Sequence, residues 1–358
     1  MPNTRLAIYT TRSLLHVGTG QALGDIDRPV SRQITTQLPD LPGPPQKRAL
    51  KDALSVDRLA ADGSSVAVPA LSPMALRALF GADAVVVPEG SEANGASPGA
   101  TGQLTPQAGE LLLLPVACGA GGCAWVTSPS IWARFRRAAR RAGVAVPPLP
   151  DEPRANAALC AAESPLVTRI GGQGAWVVLG PAVLGHQPPA AMPALGQPAN
   201  ESAALGAKAW ADWASWAANC AFGADDIEWQ DLVAERLAVL PDAVFDPLVP
   251  LALATRARNR IDEATGIVST LWREEAVPED TVFQALLGAQ RLDSSDCRYD
   301  LPEKVLDTLS QHIGTGGLPL QLGGLGSVGH GHLWLRLIAP DAPPATPANP
   351  AVEPGHAG

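Results

Sequence analysis

Residues 14–54 (LLHVGTGQALGDIDRPVSRQITTQLPDLPGPPQKRALKDAL) constrain this chain most, because they set a long glycine-loosened loop between a strand and a helix start. The apolar run Leu6 to Tyr9 reads as the strand that leads in. His16, Gly18 and Gly20 follow at its end, where a backbone without Cβ atoms turns sharply or lets a ligand come close. Asp25 and Asp27 stand two apart, and in extended chain such residues share a face. Both carboxylates could then serve one site, to hold a metal or take a proton. Equally, they could cap a turn and face water.

Pro42, Gly43, Pro44 and Pro45 stop the chain and start a helix. Lys47, Arg48 and Lys51 lie in its first turns, ahead of or among apolar Leu50, Ala53 and Leu54. A helix start with free N–H groups and cations attracts a phosphate, while an ordinary solvated basic face is the plainer reading.

The rest of the chain is loop-rich: 35 glycines and 35 prolines punctuate 358 residues. A net charge of −9 argues against a surface that coats nucleic acid throughout, but leaves room for a local basic groove. Arg134, Arg136, Arg137, Arg140 and Arg141 show how uneven the charge is, on a helix opened by Pro129 that faces solvent or a partner. The 5 cysteines, Cys118, Cys123, Cys160, Cys220 and Cys297, are scattered and lack C-x-x-C spacing, so neither a zinc site nor a disulfide framework is expected. No apolar signal core and no run of membrane-spanning length is present, and a cytoplasmic protein is expected.

Along the chain, Leu71 to Gly81 reads as a short helix capped by Ser72. Residues 88–109 read as a mobile loop. Glu110 to Val116 and Cys123 to Thr127 read as buried strands of one hairpin. Residues 147–163 and 180–200 read as proline-broken irregular chain, with a strand over Ala175 to Leu179 between them. Trp210, Trp213 and Trp216 form a stripe on a helix over Ala203 to Ala221, a pattern more typical of core or subunit contact than of base stacking. Helices are also expected over Trp229 to Val239, Asp242 to Leu253 and Leu301 to Ile313. Arg256 to Ile261 and Ile267 to Glu274 read as two arms around the turn at Asp262 to Gly266. The glycines of 323–331 suit backbone approach to a phosphate chain, without the ending of a Walker loop or the βαβ context of a dinucleotide site. Beyond Ala339 the proline- and alanine-rich tail is expected to be disordered.

Three blocks stand in a recognisable order: His16-Val-Gly-x-Gly with Leu23-Gly-x-Ile-Asp27-x-Pro29-Val-x-Arg32 and Lys47-x-Ala49-Leu50-Lys51; then Asn259-Arg260-Ile261-Asp262-x-x-Thr265-Gly266 with Leu271-x-x-Glu274-Glu275 and Val277-Pro278; then Gly323-Gly324-x-x-Ser327-x-Gly329-x-Gly331-x-x-Trp334. Together, over about residues 6–336, they resemble the repeated backbone subunit of type III-B (Cmr-type) CRISPR RNA-guided complexes, in the repeat-associated RNA-binding (RAMP) superfamily. The resemblance implies an α+β fold: a ferredoxin-like, RNA-recognition-motif-like palm over 1–200 and 275–338, a helical insertion over 200–255 and a protruding thumb β-hairpin over 256–275. All lie in one domain, with 339–358 as tail.

The implied function is to bind a CRISPR guide RNA, oligomerise along it as a helical filament with other effector subunits, and cleave complementary target RNA at regular intervals in antiviral defence. Asp27 matches the family's catalytic aspartate and would hold a divalent metal, Mg²⁺ or Mn²⁺, with Asp25 as a further ligand candidate, while the neighbouring 2′-OH attacks in line. His16, Lys47, Arg48, Lys51, Gly324, Gly326, Ser327 and Gly329 would bind RNA. Arg258, Asn259, Arg260, Ile261, Leu271 and Trp272 would form the thumb that displaces target nucleotides. The sequence departs from the family at Pro44, Pro45 and Arg48, at Gln33 and at His330 and His332. A scaffold that binds RNA without cutting it is the alternative, and a small-molecule enzyme using the glycine loop a third reading.

Overall fold

The computed structural model describes residues 3–20, 22–59, 67–81, 101–169, 174–190, 199–223, 226–262, 264–291 and 301–340. Most of the expected loop at 88–109, together with Cys297 and the tail beyond 340, lies outside the described residues.

The strand expected at Leu6 to Tyr9 runs from Thr4 to Thr11 and is the centre of the molecule. It pairs antiparallel with Val282–Ala289 on one side and with His332–Ile338 on the other, Ile8 lying opposite both Gln284 and Arg336. Gly109–Ala117 lies beyond Val282–Ala289, so the lateral order of these four strands is 332–338, 4–11, 282–289, 109–117. In the chain, helices Gly43–Leu54 and Pro73–Phe80 separate the first from the second and helix Pro302–Ile313 the third from the fourth.

Both faces of the central strand are covered, which is why it lacks polar alternation. The Arg5 guanidinium reaches Asp307 of helix Pro302–Ile313 at 2.6 Å. Thr4 and Thr10, of the opposite parity, donate their hydroxyls to the Arg141 carbonyl at 3.0 Å and the Ala221 carbonyl at 2.6 Å, so helices Pro129–Arg141 and Ala199–Phe222 cover the other face. Between those two helices the tryptophan stripe is consumed as core. Trp213 and Trp216 pack edge-on against Trp132 with ring centres 5.0 and 6.0 Å apart.

Past Gly109–Ala117 the sheet continues through Cys123–Thr127, Leu237–Val239, Ala157–Leu159, Ala182–Gln187, Ala175–Leu179 and Val167–Arg169. Three expectations change here. The proline-broken segments 147–163 and 180–200 each supply a strand, Ala157–Leu159 and Ala182–Gln187, which pair in parallel. The helix expected over Trp229 to Val239 ends at Glu235, and Leu237–Val239 enters the sheet beside Cys123–Thr127. Its three residues are buried on both faces, so its apolar pattern resembles a continued helix. Helix Asp242–Ala252 forms as expected even though Pro247 and Pro250 lie inside it.

The two arms Ala254–Ile261 and Val268–Ala276 pair with each other as a separate two-stranded sheet, and the second arm also bridges in parallel to Arg28 at Glu274. Among the described residues, no helix is long and apolar enough to cross a membrane. Cys118, Cys123, Cys160 and Cys220 are free thiols.

Candidate functional site

The loop after the central strand is strapped to the root of the hairpin by two consecutive carboxylates. Neighbours in a strand point to opposite faces, so Glu274 and Glu275 reach in different directions. Glu274 accepts from Arg28 Nη1 at 2.9 Å, from Arg258 Nε at 2.6 Å and from Trp272 Nε1 at 2.7 Å. The Arg28 guanidinium also stands 5.1 Å from the Trp272 ring centre. Burial would push the Glu274 carboxyl up, but the bonds from Trp272 and Arg258 and the charges of Arg258 and Arg28 outweigh it and hold the carboxyl below its ordinary value. Glu275 accepts from Arg32 Nη2 at 2.5 Å and from the Val30 amide at 3.1 Å.

The Glu275 carbonyl fixes the third partner. His16 Nδ1 lies 2.7 Å from it, and a carbonyl only accepts, so Nδ1 carries the proton. Neutral His16 therefore has its lone pair on Nε2, the nitrogen that lies against Gly18, where a Cβ would come within 2.8 Å of it. The His16 carbonyl in turn accepts the Gly324 amide at 2.8 Å, and the Leu14 carbonyl accepts that of Gly331 at 2.8 Å. Gly323 has φ +85°, and any Cβ there would collide with the His16 carbonyl oxygen. The glycine loop is thus shaped to seat on the His16 segment.

These contacts enclose a cleft of about 480 Å³ lined by His16, Gly18, Gly20, Asp27, Arg28, Pro29, Gly324 and Leu325. Three of the candidate residues, His16, Asp27 and Gly324, therefore meet although the last is some three hundred positions from the others in sequence. Gly326, Ser327 and Gly329 are exposed beside it, on the 3-10 turn Gly326–Val328 and its end. Asp27 is exposed at the cleft, and its Oδ2 accepts the Arg273 amide at 2.8 Å. Asp25 is exposed and does not line the cleft. Gln33 is turned to its own loop, accepting from the Thr36 hydroxyl at 2.7 Å.

A cation such as Mg²⁺ or Mn²⁺ takes about six oxygen ligands. Among the described residues no three His, Cys, Asp or Glu side chains come together, and Asp27 has one oxygen already engaged. The described side chains alone do not fill that set; beside Asp27, water and RNA phosphate oxygens would supply the rest.

Lys47, Arg48 and Lys51 line a second cleft of about 490 Å³ with Gly43, Pro44, Phe80 and Leu104 to Pro106. Gly43 is required there, since a Cβ would lie 2.5 Å from the Pro106 carbonyl oxygen. Pro44 and Pro45 follow Gly43 in the first helical turn and have no N–H, so cations rather than helix amides dominate this end. Burial pulls the Lys47 ammonium below its ordinary pKa. Arg48 is exposed at the same cleft, and its Nε pairs with Asp52 Oδ2 at 2.7 Å one turn on.

The hairpin divides in two. Its outer part carries Asn259, Arg260, Ile261 and Leu271 in the open, with Ile261 55% and Leu271 68% exposed. Asp262 closes the turn by accepting from the Thr265 amide and hydroxyl at 2.9 Å each and the Ala264 amide at 3.0 Å, bonds that lower its carboxyl pKa. Arg258 and Trp272, placed opposite one another, do not reach outward but are tied to Glu274 at the root. Arg258 Nη2 also lies 3.5 Å from Nε2 of buried His330, whose pKa is lowered by burial and then by Arg258 and Arg256. His332 is exposed.

Sequence reasoning gave Glu274, Glu275, Arg28 and Arg32 no role. The signal was present in the Glu274-Glu275 pair and in Arg32, but their pairing spans more than two hundred residues.

No family model matches the chain. It is 27% identical over 330 residues, 90% of this chain and 91% of the other, to the CRISPR system Cmr endoribonuclease Cmr4 of Pyrococcus furiosus. Its fold is similar to that in the crystal structure of oligomeric Cmr4 from the same organism, with a TM-score of 0.59 at 21% identity, covering 94% of this chain and 98% of that one. A cryo-EM structure of the type III-B Cmr-beta complex bound to cognate target RNA contains a chain similar to it at a TM-score of 0.57 and 15% identity, covering 93% and 96%.

Proposed function

We infer that this chain is a Cmr4-type backbone subunit of a type III-B CRISPR complex, which lines up in copies along a guide RNA and cuts the complementary target. The observation that carries this is the cleft in which His16, Asp27 and Gly324 meet at the root of a projecting hairpin. The split order of the four central strands, with helices Gly43–Leu54 and Pro73–Phe80 between the first pair in sequence and helix Pro302–Ile313 between the second, supports the ferredoxin-like palm. The exposed apolar tip of the hairpin supports the thumb, since Ile261, Ile267, Val268 and Leu271 have no core to enter and suit unstacked bases. Lys47 and Lys51 hold guide phosphates without reading bases, and the exposed amide-rich turn at Gly326 to Gly329 braces the same strand.

Cleavage follows from the side chains of the first cleft. The thumb bends the target so that a ribose 2′-oxygen stands in line with its phosphorus and the departing 5′-oxygen. His16 Nε2, held by the Nδ1 bond to Glu275, takes the 2′-OH proton. The Asp27 carboxylate, in the same cleft, stabilises the imidazolium that results, and Arg28 faces the charge that grows on the phosphate. The 2′-O–P bond forms, the P–O5′ bond breaks, and the 5′-oxygen takes a proton from water. Products end in a 2′,3′-cyclic phosphate and a 5′-hydroxyl.

The hydrogen bond from the Arg273 amide to Asp27 favours a second reading, in which Asp27 only fastens the loop to the hairpin and the chain is a scaffold. Analysis of product ends separates the two. Cyclic phosphate ends that disappear in His16→Ala, while RNA binding persists, support cleavage by this cleft. Ends bearing a 3′-hydroxyl and 5′-phosphate would contradict 2′-OH attack.

A further inference from the structure

We propose that copies of this chain join head to tail by setting the arginine stripe of helix Pro129–Arg141 on the acidic stripe of helix Ile227–Glu235 in the next copy. The proposal rests on the repeated-subunit reading above and names the surface that does the joining.

The two stripes match in spacing. Arg134, Arg137 and Arg141 stand at i, i+3 and i+7, and so do Glu228, Asp231 and Glu235. Each set lies on one face of its helix and extends about 10 Å along it. Arg137, Arg141, Glu228, Asp231 and Glu235 are exposed and Arg134 is half-buried. Among the described residues none of the six makes an ion pair within its own chain. Other charges stand near: Glu110 lines one cleft with Arg134, Arg137 and Arg141, Arg134 feels Asp246, Arg12 is 3.9 Å from Asp226, and Arg236 follows Glu235. Three arginines face Glu110 and Asp246 on one side, and three carboxylates face Arg12 and Arg236 on the other.

Placement makes the contact directional. The Arg141 carbonyl accepts from Thr4, the first residue of the central strand, whereas Asp226 sits at Arg12, just past the last. A strand of this length spans roughly 25 Å. The stripes therefore lie at opposite ends of the same sheet face and cannot meet within one copy. Pairing one patch with a different patch on the neighbour is a heterologous contact, which repeats into a stack instead of closing as a dimer. In a chain of net charge −9, three such arginines on one helix face find their complement in a copy of the same chain.

The test reverses each stripe in the full-length protein and measures stacking on a single-stranded RNA long enough for several copies, by analytical ultracentrifugation at low and high salt. Arg134→Glu with Arg137→Glu and Arg141→Glu should weaken association between copies at least about tenfold, and so should Glu228→Arg with Asp231→Arg and Glu235→Arg. An equal mixture of the two reversed proteins matches at every junction when the two alternate, so stacks of alternating copies should return. The protein carrying all six changes should stack again in full. Circular dichroism on each variant checks that it folds. If the wild type stacks but neither reversal alters its stacks, or if the six-fold variant stays apart, the pairing is wrong and the repeated-subunit reading stands. If arginine reversal instead lowers affinity for an RNA that holds one copy and leaves stacking intact, the arginines hold phosphate and the proposal falls. A wild type that stays monomeric on the long RNA overturns both readings.

Discussion

Replacing Glu275 by Ala should both destabilise the fold and disable the first cleft. The carboxylate is buried, 7% exposed, and its partner Arg32 is 12% exposed, so solvent screens the pair little. Removal leaves a buried guanidinium whose Nε already has no partner and whose Nη1 keeps only the Gln37 carbonyl at 3.2 Å. It also orphans the Val30 amide. Breaking one side of a buried pair costs about 3–5 kcal/mol. At about 2.1 cal/mol/K of unfolding entropy per residue, a chain of 358 residues has roughly 0.75 kcal/mol/K, so the melting temperature should fall by about 4–7 °C. Arg32→Ala should cost a similar amount, and the double variant about 1.5 kcal/mol or more less than the sum. Melting curves of all four proteins give the cycle. Losses that simply add would mean that the two side chains do not cooperate, and the strap between loop and hairpin would be refuted.

Gly18→Ala places a methyl group 2.8 Å from His16 Nε2, so cleavage should drop at least about tenfold with little change in melting temperature, a split that kinetics and calorimetry read together. His330 has its pKa lowered from 6.5 by burial and nearby arginines, so it contributes stability that is present above pH 6.5 and lost as pH falls through the folded value. His330→Gln keeps an acceptor for Arg258 and should flatten the decline of melting temperature below pH 6.5. Lys47→Ala should weaken single-stranded RNA binding for all sequences alike and reduce the slope of log affinity against log salt by about 0.7.

Local chemistry made much of this fold legible. Ser72 accepts the Ala75 amide at 3.2 Å to cap helix Pro73–Phe80, and Gly81 ends it with φ 89°, as the sequence predicts. The hairpin arms are set by the Asp262 turn, and the central strand by its apolar run. What stayed hidden was specified by distant partners. Ala182–Gln187 completes a hairpin with Ala175–Leu179, and Ala157–Leu159 is a strand because that hairpin's outer arm offers it a parallel ladder. Leu237–Val239 is a strand because a slot between Cys123–Thr127 and Ala157–Leu159 receives it. The cleft itself was half visible: glycines, His16 and Asp27 signal a loop that a ligand approaches. The straps Arg28 to Glu274 and Arg32 to Glu275, and the seat of Gly324 on His16, arise only when remote segments meet.

The measurement that bears most directly on the central claim is cleavage of a labelled complementary target by the assembled complex, comparing wild type with Asp27→Ala while target binding is followed in parallel. The account predicts fragments at regular intervals from the wild type and none from the variant, with binding retained. The same ladder from both proteins would remove Asp27 from the reaction, and no ladder from either would make this chain a scaffold.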